Sequence, residues 1–346
     1  GEGETPQEFT LLKFKLGNEF LIAATLRPET IYGQTNLWVD PEAEYHKIRV
    51  DNETWIVSKE CEEKLKQQDK EVFFLEKIKA SELLSKKAIA PGIEREIIIL
   101  PSNFCDPTKG TGIVTSVPSD SPDDWMGLYD LQKNDELAKK YNLDYEEIKK
   151  IKPIAIIKSE DLGDMPAVKV CQEMNIKSQD EREKLEKAKK LVYKKGFYSG
   201  IMNENCGPYS DMPVERAKDL VKEDLVKKNQ ADKFYELSGK VICRCLTPSI
   251  VKVVDDQWFI NYKDHEWKKS THKALNNLTI WPEKIRSQFE YVIDWLREWA
   301  CTREVGLGTR LPWDEKWLIE SLSDSTIYMA YYTIAHHIQK LPLEMI

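Results

Sequence analysis

Thr25-Leu-Arg-Pro-Glu-Thr30 is the stretch whose reading decides what kind of chain this is. It follows an apolar run, Phe20-Leu-Ile-Ala-Ala24, and leads into Ile31-Tyr-Gly33. The run predicts a buried strand. Pro28 ends regular pairing, because it carries no amide proton and restricts the residue before it. Arg27, Glu29 and Thr30 are therefore expected on a tight turn at a strand end. Such a turn can aim hydroxyls and backbone amides at a ligand, or it can be a plain surface turn with two threonines.

A second stretch, Lys109-Gly-Thr-Gly-Ile-Val-Thr-Ser-Val-Pro-Ser-Asp-Ser-Pro-Asp-Asp-Trp125, decides between these readings. A Gly-rich entry feeds a β-branched strand at Ile113 to Val117, then a polar turn, then a helix start. Ser121 can cap that helix and Pro122 suits its first position. Asp124 then falls about three residues past the cap, where Asp123 and Asp124 also complement the helix dipole. Gly110-Thr-Gly112 lets backbone approach a ligand closely, though Gly-x-Gly alone is a weak nucleotide signature.

The 346 residues are 41% hydrophobic and 32% charged, enough for two domains with a real core and a heavily charged surface. With 51 basic and 59 acidic residues the net charge is −8. That argues against non-specific nucleic-acid binding, but leaves room for local contact with one RNA end. No apolar run is long enough to span a membrane. Seven scattered cysteines in a lysine-rich chain fit reduced thiols in the cytosol, and a cytoplasmic location is expected. The spacing of Cys243-Arg-Cys245 is too short for an ordinary zinc half-site. The chain opens on Gly1 without a signal pattern and reads as a piece of a longer protein.

Strands are expected at Glu8 to Leu16, Glu19 to Ala24, Thr35 to Val39, His46 to Val50, Thr54 to Val57 and Glu96 to Leu100, with another at Pro153 to Ile157. The charged segment Lys59 to Lys87 is expected to be helical in parts, and Asn134 to Ile151 to hold one or two amphipathic helices. Ser178-Gln-Asp-Glu181 reads as a capping box opening a helix that stops at Gly196. The lysines of its last turns suit either a solvated helix end or an RNA contact. A helix is expected from Pro213 to near Lys228. Lys240 to Cys245 and Ile250 to Val254 read as paired strands, and a Trp-rich helical region follows from 256. Trp295, Trp299, Trp313 and Trp317 are expected to pack in its core. The domain boundary is placed near 240.

His46 is the only histidine before His265. It lies in an expected strand far from any Ser or Cys motif, so a Ser-His-Asp or Cys-His arrangement has no support there. No metal-ligand cluster is visible either. Any hydrolysis must rely on water, carboxylate, hydroxyls and oriented amides.

Together the two stretches resemble the editing domain of leucyl-tRNA synthetases, of the eukaryotic cytosolic kind. The resemblance extends through Gly1-Glu-Gly3, Pro6-Gln-Glu-Phe-Thr-Leu-Leu-Lys13, Asp256-Gln-Trp-Phe259 and Leu311-Pro-Trp-Asp314 to Ala330. It implies an α+β fold: a β-barrel-like editing domain with peripheral helices at 1–240, then a mostly helical partial nucleotide-fold segment at 241–346. It also implies hydrolysis of the ester joining a wrong amino acid, such as norvaline or isoleucine, to tRNA-Leu.

In that likeness Asp124 binds the α-ammonium of the mischarged amino acid. Thr25 positions water or the developing oxyanion, and Thr30 excludes the γ-branched leucine side chain. Arg27 orients the turn or contacts the terminal nucleotide. Leu26 stands where bacterial relatives often carry another Thr. Lys109, Gly110, Thr111 and Gly112, with Thr115, Ser116 and Val117, would line the terminal adenosine of the tRNA. Ser119, Asp120 and Asp123 complete the candidate substrate-binding set. Asp120 and Ser121 depart from the bacterial pattern and receive no catalytic role. No metal or cofactor is implied for editing, whereas a full-length synthetase would use ATP and Mg.

The His-x-Gly-His and Lys-Met-Ser-Lys-Ser signatures are absent, so the chain is not expected to charge tRNA. A non-catalytic module binding tRNA or protein is the alternative reading, and multi-synthetase partners are unspecified.

Overall fold

The computed structural model describes residues 4–159 and 161–342, so Gly1-Glu-Gly3 lies outside the described residues. The chain divides into two compact units, Gly1–Val253 and Val254–Ile346. The sequence places its boundary near 240. The stretch from 241 lies with the first unit, where the Val253 amide donates to the Gln67 carbonyl.

The first unit is built on one ten-stranded mixed sheet. Strands β1 (Pro6–Leu16) and β2 (Glu19–Thr25) form a hairpin across Gly17, whose φ of +63° suits a residue without Cβ. β3 is Asn36–Val39, β4 Glu44–Val50, β5 Glu53–Ser58, β6 Val72–Lys79, β7 Lys87–Ile89, β8 Glu96–Pro101, β9 Ile113–Ser116 and β10 Ala231–Leu237. The order is β6-β4-β5-β2-β1-β7-β8-β3-β9, with β10 beside the first half of β1.

The expected barrel-like closure is not formed. The sheet is open, because β6 pairs with β4 alone and β9 with β3 alone.

Side chains alternate across a strand, and here both faces of β1 and β2 are covered. Leu12, Phe14, Leu21 and Ala23 enter the larger core. Leu11 and Ile22 enter a second one with Ile48, Trp55 and Phe234. This double burial explains why β2 reads as a continuous apolar run rather than an alternation.

The helices that matter for the site are α1 (Lys59–Leu65), α2 (Pro122–Lys133), α3 (Pro166–Glu173), α4 (Arg182–Ser199) and α5 (Val214–Lys227).

Several local expectations are corrected. The charged segment Lys59 to Lys87 is helical in parts as expected, in α1 and at Ala80–Leu83, but it also contains β6, whose Phe73, Phe74 and Leu75 stay about half exposed. From the expected strand at 153–157 only Ile157 pairs, within Ile157–Lys158 against Ile201–Met202. The capping box does not form. Ser178 Oγ donates to Asp130 Oδ2 at 3.0 Å, and Glu181 Oε1 accepts from the Lys177 amide at 2.7 Å. Helix α4 starts at Arg182 and runs through Gly196 to Ser199. The expected strands after 240 reduce to one bridge, Ile242 with Pro248. The real strand there is β10, whose mixed sequence Ala-Asp-Lys-Phe-Tyr-Glu-Leu hides its role.

The second unit carries helices His265–Asn276, Arg286–Trp295 and Ser321–Ile338. It also holds two small antiparallel sheets, so it is less helical than expected. Trp317 is buried as expected, whereas Trp295, Trp299 and Trp313 are 61%, 40% and 68% exposed and do not form a core. No helix among the described residues is long and apolar enough to cross a membrane.

Phe234 is fully buried and locks β10 to the sheet. Phe234→Ala is expected to destabilise the first unit by about 3–5 kcal/mol in urea unfolding. A change under about 1 kcal/mol would contradict this placement of β10.

Candidate active site

The turn after β2 is closed by its own threonines. The Arg27 amide donates to Thr25 Oγ1 at 3.0 Å, and Thr30 Oγ1 donates to the Arg27 carbonyl at 2.8 Å. Pro28–Gly33 then forms a single 3-10 segment, with Glu29 and Thr30 buried. Gly33 is needed for close approach. A Cβ there would lie 2.9 Å from Val117 Cγ1, so the turn sits directly on the end of β9.

Arg27 joins the two stretches. Its Nε donates to Glu29 Oε1 at 3.2 Å and its Nη1 to the Asp120 carbonyl at 3.4 Å. Its guanidinium lies 4.8 Å from the Tyr193 ring centroid. Gly196, inside α4, lies beside it: a Cβ there would stand 3.8 Å from Nη2, an ordinary contact. Burial opposes the charge on Arg27, but Glu29 and Asp120 outweigh it and hold the guanidinium protonated.

Two aspartates flank the start of α2. Asp124 lies where the sequence places it, with Ser121 Oγ accepting from its amide at 3.4 Å. Its oxygens are engaged: Trp38 Nε1 donates to Oδ1 at 3.0 Å and the Val117 amide to Oδ2 at 2.9 Å. Burial pushes its pKa up to about 7 against these donors. Asp120 Oδ2 accepts from Ser119 Oγ at 2.6 Å, while its Oδ1 is buried without a hydrogen-bond partner. Burial pushes Asp120 to about 7 as well, although Arg27 and Ser119 pull it down. Glu29 Oε2 is likewise buried and unpartnered, and burial raises its pKa despite Arg27. Three buried acids thus gather beside one arginine, and two of them, Asp120 and Glu29, keep an unmet acceptor.

Asp123 points elsewhere, to Lys189 at 2.6 Å and Arg182 at 3.1 Å on α4; the Arg182 contact is an ion pair without hydrogen-bond alignment.

The Gly-rich strand borders a separate opening. A cavity of about 840 Å³ is lined by Leu26, Lys109, Gly110 and Thr111, with Phe9, Ala24, Ile113 and Val114 along one side. Leu237 to Val241 and Pro248 to Val251 line it as well. Gly110 takes φ +55° and its amide donates to Glu236 Oε2 at 2.8 Å. Glu236 also pairs with Lys64. Gly112, at φ +71°, lies against Ser58 rather than on the cavity.

The structure therefore splits the candidate set. Leu26, Lys109, Gly110 and Thr111 share the cavity. Thr30, Arg27, Ser119, Asp120, Asp124 and Val117 share the buried junction beyond the turn. Thr115 and Ser116 sit in β9 beside β3, and Thr115 Oγ1 is buried and unpartnered. Thr25 ends β2 between the two groups.

Sequence reading did not assign Trp38, Tyr193, Gly196 or Glu236, which lie far from either motif. Glu29 was visible in the turn, but without a role. His46 spends both ring nitrogens on carboxylates, Glu62 at 2.6 Å and Glu44 at 3.1 Å. No cluster of three metal-ligating side chains occurs among the described residues.

The first unit superposes on the crystal structure of GlLeuRS-CP1 with TM-score 0.60 and 34% identity, covering 66% of this chain and 99% of that one. The chain belongs to the leucyl-tRNA synthetase family. Leucine–tRNA ligases from Archaeoglobus fulgidus and Pyrococcus abyssi are 48% and 46% identical over 341 and 350 residues, which is 98% and 99% of this chain. The chain spans 36% of the length of each of these relatives. They are archaeal, so the narrower expectation of a eukaryotic cytosolic type does not stand. The P. falciparum cytosolic leucyl-tRNA synthetase editing domain shares the fold at 22% identity and TM-score 0.61, covering 66% of this chain and 99% of that one. No family model matches the chain.

The raised pKa of Asp120 sets a pH dependence. A carboxyl whose folded pKa exceeds its unfolded value of about 4 stabilises the fold at low pH, and that contribution is lost as pH rises through about 7. Asp120→Asn should therefore reduce the fall in urea midpoint between pH 4.5 and 7.5 relative to the unsubstituted chain. An unchanged slope would contradict the burial of an ionisable Asp120.

Proposed function

We propose that the first unit hydrolyses the ester linking a noncognate amino acid to tRNA-Leu, as the editing activity of a leucine–tRNA ligase. The observation that carries this reading is the packing of the Thr25-to-Thr30 turn on the Val117-to-Asp124 segment through half-buried Arg27. Water attacks the ester carbonyl, the bond to the ribose oxygen breaks, and that oxygen takes up a proton. Thr25 and nearby amides position the water or the oxyanion. Asp124 grips the α-ammonium and fixes the ester in place, which is catalysis by orientation. The bulk of Thr30 excludes a γ-branched side chain while unbranched ones enter. A neighbouring ribose hydroxyl assists.

The energetic need is general. A displaced methylene changes binding in an apolar pocket by only about 1–3 kcal/mol, so a second sieve must supply the remaining selectivity. The Gly110–Thr111 side of the cavity suits the terminal adenosine, since backbone contacts hold the base whatever amino acid is attached. The reaction as proposed uses no metal. ATP and magnesium belong to ligation by the full-length enzyme, which this chain is not expected to perform. We place the activity in the cytoplasm, with the acceptor end of tRNA-Leu as partner.

One observation favours a second assignment for the ammonium. Both oxygens of Asp124 already accept internal donors, whereas Asp120 and Glu29 each keep an unpartnered buried oxygen. The Asp120–Glu29 pair would then take the ammonium, and Asp124 would hold α2 to β9 and Trp38.

Norvalyl-tRNA-Leu deacylation separates the readings. Asp124→Ala should lower the rate by about 100-fold, the scale of a lost orienting contact. Asp120→Asn should leave it within a few-fold if Asp124 is the anchor, and should lower it comparably if the pair is. Normal rates in both variants would remove both carboxylates from the anchoring role, whereas no deacylation by the unsubstituted chain would favour a non-catalytic binding module and overturn the proposal. Thr30→Ala should begin to deacylate leucyl-tRNA-Leu; continued rejection of leucine would remove Thr30 from the sieve.

A further inference from the structure

The reaction described above uses no cysteine, and five of the seven are buried: Cys61, Cys105, Cys171, Cys206 and Cys301. The two exposed ones, Cys243 and Cys245, stand two residues apart at the tip of one loop. That loop is a tight, hydrogen-bonded turn. The Leu246 amide donates to the Cys243 carbonyl at 2.8 Å, the Cys243 amide to the Thr247 carbonyl at 2.9 Å, and Ile242 bridges Pro248. Leu246 takes φ +65°, a conformation that a branched side chain disfavours, and is 83% exposed.

The turn gathers donors onto one sulfur. Thr247 and the Cys243 thiol stand beside Cys245 in the turn and present their polar hydrogens on its side. These contacts favour the thiolate and lower the Cys245 pKa to about 7. About half of such a group is ionised at neutral pH, against a few per cent of an ordinary thiol. The flanks of the loop, Val241 and Pro248 to Val251, line the cavity beside Gly110 and Thr111.

We propose that Cys245 and Cys243 form a peroxide-reactive dithiol that closes to an intraloop disulfide at the tip of the loop whose flanks line the cavity. The Cys245 thiolate attacks a peroxide oxygen: an S–O bond forms, the O–O bond breaks, and the departing hydroxide takes a proton to become water. Cys243 then attacks the sulfenic sulfur. The S–S bond forms, the S–O bond breaks, and a second water leaves with the Cys243 proton. Two thiols lose two electrons, and one hydrogen peroxide is reduced to two waters. A disulfide spanning a single residue is strained, so a dithiol reductant reverses it readily.

The test uses the whole chain. Limiting iodoacetamide at pH 7, followed by peptide mass analysis, should label Cys245 about threefold faster than Cys243, with the larger thiolate fraction partly offset by weaker nucleophilicity. The advantage should vanish at pH 10. Equimolar peroxide should remove two hydrogens from the peptide holding both cysteines, reversibly with dithiothreitol. Cys243→Ser should stop at a sulfenic acid on Cys245 that dimedone traps, and Cys245→Ser should give neither product. Both positions are exposed, so these variants are expected to fold. Equal labelling at pH 7, a disulfide joining two chains, or a sulfenic acid that persists in the unsubstituted chain would each overturn the proposal.

Discussion

One largely shielded guanidinium holds the candidate site together, with 18% of the Arg27 side chain left exposed. Arg27 lies between Glu29 on its own turn and the carbonyl of Asp120, 93 residues further along, and against Tyr193 on α4. A charge taken out of water is stable only if opposite charge and oriented dipoles replace the solvent. Here a carboxylate, a carbonyl and an aromatic face do so. Three segments remote in sequence are thereby fixed to one point. Gly33 lets the turn approach, since a methyl group there would crowd Val117.

The same dryness shapes the chemistry. Asp120 and Asp124 are each pushed toward neutrality by desolvation, and Glu29 is raised with them. Acids in this condition are poised for a cationic group, because an ammonium would restore to them the counter-charge that water no longer supplies. Such a site is better suited to gripping an aminoacyl group than to general-base work. In the proposed reaction, that division of labour leaves the attacking water to hydroxyls and amides.

Much of the fold was legible because the signals were local. Pro28 and the run before it marked the end of β2, and Ser121-Pro122 marked the start of α2. What escaped depends on distant partners. β10 has no apolar alternation, since it is fixed mainly by pairing with β1 and by Phe234. Ser178 abandoned a capping box because Asp130 offered a better acceptor for its hydroxyl and for the Gln179 amide. Gly196 read as a helix end, yet it is buried in the last turn of α4, which runs on to Ser199. Within the site, the turn and the helix start were visible in the sequence. The saturation of Asp124 by Trp38 and Val117 was not, because neither donor stands next to it in the chain.

The most direct measurement is a crystal structure of this chain with a non-hydrolysable norvalyl-aminoadenosine. The account predicts the amino group within about 3 Å of a carboxylate at the start of α2, the side chain against Thr30, and the adenine beside Gly110 and Thr111. An analogue bound with its amino group remote from Asp120, Asp124 and Glu29, and with Thr30 untouched, would contradict it.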